Sequence, residues 1–107
     1  MTPETAAKTD ALIAELWQRH LPTLKERLDI LDKIAATAAA ASLSESDREQ
    51  AANITHKFAG SLGMYGYQRG TEIAMQLELL YRTPPIVQPH KLVPLTRELR
   101  QAIFPNQ

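Results

Sequence analysis

Apolar side chains recur at intervals of three and four residues along almost the whole chain, and this spacing limits the folds that it can adopt. The clearest series is Leu24, Leu28, Leu31, Ile34 and Ala38, which falls on one face of an α-helix. No segment alternates apolar and polar residues over the length of a strand, and no hairpin turn joins two β-rich runs. The sequence therefore predicts an all-α protein.

Proline, glycine and capping residues divide these apolar series into separate helices. The segment from Leu12 to Trp17 predicts a short first helix, and Pro22 suits the first turn of a second one. Ser44 lies three residues before an acidic residue, as in a capping box, and Gly66 favours the end of the helix that follows. The predicted fold is an antiparallel four-helix bundle with an additional short N-terminal helix, formed by residues 1–107 as a single domain.

A proline-rich connector separates the last two predicted helices. The first of them is expected to run from Gln68 to Arg82, with Met75 packed in the core. The connector, residues 83–89, contains three prolines and cannot continue a helix. The last helix carries an apolar series from Leu92 to Ile103.

The composition excludes several classes of function. The chain has 107 residues with 12 basic and 12 acidic side chains, so its formal charge is zero. This balance argues against nonspecific nucleic-acid binding and against binding to an anionic membrane surface, because both need an excess of Lys and Arg. The chain has no cysteine, no apolar run that could span a bilayer and no secretory signal, so we expect a cytoplasmic protein.

One histidine stands among unusually small neighbours on a predicted helix. On a wheel of about 100° per residue, His56 points about 200° away from the apolar face, towards water. Ala52, Ala59, Gly60 and Gly63 lie within about 60° of it and cannot shield an imidazole. Glycine inside a helix costs about 1 kcal/mol relative to alanine, and helix packing does not explain it on an exposed face. This arrangement favours close approach by another molecule.

Other active-site patterns cannot be assembled from the sequence. Ser61 lies about 140° from His56 around the helix, so the two side chains do not meet. His20 and His90 have no second histidine or carboxylate at the spacing of a helical metal pair, and we expect surface residues and no metal site. No glycine-rich loop joins a strand to a helix, so we expect no nucleotide site.

The motif around His56 resembles that of the histidine-containing phosphotransfer (HPt) domain, a helical bundle whose exposed histidine carries phosphate in two-component phosphorelays. The family pattern is a histidine with glycines four, seven and ten residues later, Ser or Ala after the first glycine, and a Leu-Glu pair on the next helix. The matching residues are His56, Gly60, Ser61, Gly63, Gly66, Leu77 and Glu78. The resemblance is sharp over residues 51–82.

The resemblance implies a role for each residue of the site. His56 is the phosphoacceptor, and Glu78 accepts a hydrogen bond from the proton on Nδ1, so that Nε2 faces outward. Many family members have a lysine three residues after the histidine, where this chain has Ala59. Lys57 and Arg82 are therefore the candidates for contacting phosphate.

The implied partners are a response-regulator receiver domain, a hybrid histidine kinase, or both. They are expected to dock on the small-residue face around His56, rimmed by Met64. Mg²⁺ is expected on the receiver domain, and the chain itself needs no cofactor. On this interpretation the protein is a monomeric, stoichiometric phosphate carrier and not an enzyme. Two alternatives stay open: a phosphorylation-independent adaptor bundle, favoured by Ala59, and the N-terminal phosphotransfer module of a larger histidine kinase.

Overall fold

Four α-helices account for most of residues 3–105. A computed structural model describes the backbone of residues 3–105 and the side chains of residues 10–105. The helices are α1 (Pro3–Ala40), α2 (Glu45–Met64), α3 (Gln68–Arg82) and α4 (Leu92–Ile103), and a 3₁₀ turn (Pro89–Lys91) precedes α4. Residues 3–105 form no β-strand, and the predicted all-α bundle is confirmed.

The first helix runs through Pro22 without a break, so the prediction of a separate short N-terminal helix is wrong. The residues assigned to it form the first half of α1, which has 38 residues. Proline inside a helix removes one backbone hydrogen bond and costs about 3 kcal/mol. Packing on both sides of Pro22 offsets this cost, because Leu24 is fully buried and Trp17 stacks on Tyr67 with ring centroids 4.6 Å apart.

The two ends of α2 follow the capping residues in the sequence. The backbone N–H of Asp47 donates to Ser44 Oγ at 3.1 Å, which satisfies one of the free donors at the start of the helix. After the helix ends, Gly66 has a φ of 81°, a conformation that glycine adopts without steric cost. The N–H of Tyr67 then donates to the carbonyl of Leu62 at 2.9 Å, and the chain turns directly into α3.

The tight turn makes α2 and α3 an antiparallel pair with a clear register. His56 on α2 contacts Glu78 on α3. Seven residues further along α2, a side chain at Gly63 would lie 3.8 Å from Thr71 Oγ1, seven residues earlier on α3. This register places the middle of α2 beside the last two turns of α3.

The fourth helix closes the bundle against α1, also in an antiparallel sense. Arg100 near the end of α4 donates to Asp29 of α1 at 2.8 Å, whereas Ala38 near the end of α1 lies beside Pro89, just before α4. Tyr81 is fully buried, and burial raises the pKa of its hydroxyl. The remaining fully buried large apolar side chains within residues 10–105 are Leu24, Leu28, Leu31, Phe58, Leu62, Ile73, Leu77, Leu92 and Leu99. No helix within residues 3–105 is long and apolar enough to cross a membrane.

Candidate functional site

His56 lies in the middle of α2 with its imidazole towards solvent. Its side chain is 69% exposed, and Nδ1 lies 2.9 Å from Glu78 Oε2 on α3. An ionised carboxylate can only accept hydrogen bonds, so the proton of a neutral imidazole lies on Nδ1 and Nε2 keeps its lone pair. The arrangement leaves Nε2 as the nucleophilic nitrogen, and the hydrogen bond between Nδ1 and Glu78 fixes the orientation of the ring.

Glu78 is held in turn by a cation on its own helix. Arg82 Nε donates to Glu78 Oε2 at 2.8 Å, one helical turn away, so the same oxygen accepts from both His56 and Arg82. The Glu78 side chain is only 19% exposed, while the other two are much more open to solvent. The carboxylate is therefore the central and least exposed member of a hydrogen-bonded group of three side chains.

Gly60 lies one turn after His56 and is exposed. A Cβ atom added there would have no neighbour within 4 Å, so packing inside this protein does not require glycine. Gly63 is also exposed, and a Cβ there would make only ordinary contact with Thr71. Both glycines, with the half-buried Ala59, leave the front of α2 flat beside the imidazole.

Ala52 does not belong to this exposed face, and its assignment to partner binding is wrong. It is buried in the core, one turn from both Arg48 and His56. These two residues both bind α3: Arg48 donates to the backbone oxygen of Tyr81 at 2.5 Å, and His56 binds Glu78. Helix α3 therefore closes over this edge of α2. A wheel of α2 alone does not show how wide an arc its neighbours cover.

Lys57 lies on the other edge of α2, away from Glu78. It lines a shallow groove between α1 and α2, together with Glu26 and Arg27 of α1 and Glu49 of α2. Consecutive residues on a helix point about 100° apart, so His56 and Lys57 face different neighbouring helices. The structure brings Arg82, but not Lys57, into the group around Glu78.

Two exposed apolar side chains of α3 lie beside the site, of which Leu79 was missed in the sequence and Met75 was expected in the core. Met75 is 58% exposed, so its expected place in the core is wrong, and Leu79 is 69% exposed. Together with Gln76, Glu78 and Arg82, they line a shallow depression on the outer side of α3. Their positions, four residues apart and off the buried series of α3, were the signal that could have identified them. Met64 is exposed at the end of α2, as expected.

The other two histidines lie apart from this site. His90 is exposed in the 3₁₀ turn, and His20 is half-buried beside Met64 and Tyr65. No group of three or more His, Cys, Asp or Glu side chains that could hold a metal ion occurs in the part of the chain that the structure describes.

Comparison with known proteins identifies the class to which this bundle belongs. Residues 15–103 match the model of the Hpt domain, so the chain belongs to the Hpt family. It is similar to Protein RcaC of Microchaete diplosiphon, with 32% identity over 93 residues. The match covers 87% of this chain but only 14% of the relative, so the chain spans a small part of that protein's length. No solved structure matches significantly.

Membership of this family indicates the general role of the matched domain. Hpt domains are phosphocarrier modules that transfer a phosphoryl group through a histidine in phosphorelays, with kinase and response-regulator partners. The match begins at residue 15, so the first fourteen residues, which include the start of α1, lie outside it.

Proposed function

We propose that His56 accepts a phosphoryl group from the aspartate of one receiver domain and donates it to the aspartate of another. The observation that carries this proposal is the exposed imidazole with Nδ1 bound to Glu78, which leaves Nε2 facing a partner. A histidine without such a partner rotates freely and exchanges its proton between both nitrogens. Here the carboxylate selects the tautomer before the partner arrives.

From this chain, the chemical step needs only this pair. The Nε2 lone pair attacks phosphorus, an N–P bond forms, and the P–O bond to the aspartate breaks, which releases an ionised carboxylate. The Nδ1 proton stays in place, so the ring gains positive charge that the Glu78 carboxylate stabilises. The return step reverses each of these changes.

The negative charge of the moving phosphoryl group has to be balanced during transfer. We assign the divalent cation to the receiver domain, in keeping with the sequence prediction. This chain would then act stoichiometrically, as a monomer, in the cytoplasm where its partners are expected. It supplies the nucleophile, its orientation and a flat surface for approach.

The partner surface extends beyond the imidazole in two directions. A specific interface covers about 800 Å² on each protein, which is a disc of roughly 16 Å radius around His56. Along α2 such a disc contains Gly60 and Gly63 and reaches Met64, about 12 Å away. On α3 it contains Met75 and Leu79, whose exposed apolar surface adjoins Glu78. We propose that a receiver domain covers both.

Incubation with a phosphorylated receiver domain and Mg²⁺, followed by mass spectrometry, tests the proposal. We expect a phosphoryl group on His56 that is labile in acid and stable in base. His56→Gln should abolish the label and leave the free energy of unfolding within about 0.5 kcal/mol, because an exposed side chain contributes little to the core. A folded His56→Gln variant that still takes up label would refute the assignment.

A further inference from the structure

The contact between His56 and Glu78 creates a chemical conflict. A carboxylate next to a histidine favours the charged imidazolium, because opposite charges attract. The imidazolium carries protons on both ring nitrogens and has no lone pair with which to attack phosphorus. A site that uses a carboxylate to fix the tautomer therefore needs something that limits protonation of Nε2.

Arg82 is placed to supply this limit. Its Nε–H donates to Glu78 Oε2 at 2.8 Å, and His56 Nδ1 lies 2.9 Å from the same oxygen. The guanidinium group is permanently charged, so it offsets the charge of Glu78 at every pH at which the protein is folded. Because Glu78 is four-fifths buried, solvent screens this interaction less than it screens a fully exposed ion pair.

Resting on the function proposed above, we propose that Arg82 is a positioning residue that keeps His56 neutral by acting through Glu78. It offsets the negative charge of Glu78, so the ring gains a second proton less readily. Arg82 then decides how much of the nucleophile is available near neutral pH.

The other charged side chains near His56 bind different groups or line different surfaces. On the same edge of α2, Arg48 binds Glu45 and the backbone oxygen of Tyr81. On α2, Lys57 and Glu49 face the groove towards α1, which adds Glu26 and Arg27 on its side. On α3, Glu72 lies in a separate depression with Gly63 and Thr71, about two turns before Glu78. Helix α4 packs on α1 and α3, where its Arg100 binds Asp29 and its Glu98 lies 3.6 Å from Arg69. Glu78 and Arg82 are thus the dominant pair.

A simpler role for Arg82 has to be separated from this one. It lies in the last turn of α3, where a cation favours the helix C-terminus, and it could also contact the phosphoryl group directly. Both roles would persist at high pH, because neither depends on the protonation of the imidazole. A role through Glu78 instead changes the pH dependence, because it acts on the fraction of neutral imidazole.

The test is the initial rate at which phosphoramidate labels His56 between pH 5.5 and 9, in the absence of any receiver domain. At about pH 6.5 we expect Arg82→Gln to label roughly two- to fivefold more slowly than the unmodified protein, in proportion to an ion pair of about 0.5–1 kcal/mol. At pH 9 the rates should converge, because the ring is neutral in both proteins. Arg82→Lys keeps the charge and should follow the unmodified protein.

A double variant and a spectroscopic measurement complete the test. In the Glu78→Gln background, Arg82→Gln should leave the pH profile unchanged, because the carboxylate through which it acts is gone. Nitrogen-15 NMR of the unphosphorylated proteins at pH 7 should show more imidazolium in Arg82→Gln than in Arg82→Lys. The NMR result does not depend on phosphotransfer, so it stands even if His56 proves not to be the phosphoacceptor.

Three results would overturn the proposal. One is an equal loss of labelling at all pH values in Arg82→Gln, which would indicate a phosphate contact or a structural role. Another is an imidazolium fraction that does not rise in Arg82→Gln. The third is an effect of Arg82→Gln on the pH profile that persists without Glu78.

Discussion

The two edges of α2 each carry one basic residue, His56 or Lys57, but the surroundings of these two residues differ. On the edge towards α3, His56 and Arg82 converge on one oxygen of the largely buried Glu78. On the edge towards α1, Lys57 lies in an open groove with side chains of both signs, including Glu26. The first edge fixes an imidazole in one orientation, whereas the second leaves a flexible cation in solvent.

This difference shows how the bundle, and not proximity in the sequence, assembles the site. Lys57 directly follows His56 but faces another helix, while Glu78 lies 22 residues later and contacts it. The tight turn at Gly66 produces that contact, because it sets the register in which α3 returns along α2. Predictions that change one edge at a time test whether the α3 edge alone carries the chemistry.

The largest effect is expected from the carboxylate of Glu78, which contacts the edge of α2 that faces α3. Glu78→Gln removes its charge and should slow phosphoryl transfer to His56 about tenfold to a hundredfold, by analogy with the loss on removing a carboxylate that orients a metal-binding histidine. Urea unfolding should show a change of at most about 1 kcal/mol, because glutamine keeps the size of the side chain and one acceptor oxygen. Equal losses of stability and of transfer would demote Glu78 to a structural residue.

A larger side chain at Gly60, on the exposed face of α2 between these two edges, should have the next largest effect. Gly60→Gln should slow transfer from a receiver about tenfold, which corresponds to roughly 1.4 kcal/mol of lost contact. It should also raise the free energy of unfolding by about 0.5–1 kcal/mol, since glycine is a poor helix former and the site is open. Gly60→Ala serves as the control, with most of the gain in stability and little added bulk. Unchanged transfer in Gly60→Gln would show that close approach is not required here.

Substitutions of the exposed apolar side chains on α3, Met75 and Leu79, should have a smaller effect that is confined to partner binding. Leu79→Gln is expected to weaken receiver binding about threefold to tenfold, measured by titration calorimetry, because the patch loses about 1 kcal/mol of apolar contact. Labelling by phosphoramidate should not change. Val87→Gln is the matched control, since Val87 is 73% exposed and Leu79 is 69% exposed, but Val87 lies in the connector after α3. Equal binding losses in both variants would remove α3 from the interface.

The smallest effect is expected on the α1 edge. Lys57→Ala should change the transfer rate less than about twofold, because a solvent-screened charge that faces away from the imidazole contributes little. The measurement is the rate of phosphoryl transfer from a phosphorylated receiver domain to His56. A tenfold loss would show that Lys57 reaches the phosphoryl group, as the family resemblance implied, and would erase the difference between the edges.

Local signals predicted most of the helical framework. The bounds of α3, Gln68 and Arg82, and the cap at Ser44 follow from residues that act within one or two turns. The exposure of His56 follows from its position opposite the apolar series of its own helix. Its pairing with Glu78 needed the assumption of an antiparallel helix pair, which the turn at Gly66 fulfils.

The wrong expectations all depended on packing between helices. Pro22 predicts a break, but side chains on both sides of it pack on the bundle and keep α1 continuous. Ala52 was placed on the exposed face because the wheel did not include the arc that α3 covers. Met75 was placed in the core because methionine is apolar, although its position is off the buried series of α3. Residue type and periodicity do not determine which surfaces a bundle leaves open.

The nitrogen atom that carries the phosphoryl group tests the central claim most directly. The measurement is nitrogen-15 NMR of the phosphorylated protein, labelled at its histidines and compared with His56→Gln. We expect phosphate on Nε2 of His56 with the proton retained on Nδ1, because Glu78 holds that nitrogen. Phosphate on Nδ1, or on His20 or His90, would contradict the assignment of Glu78 as the residue that prepares His56 for transfer.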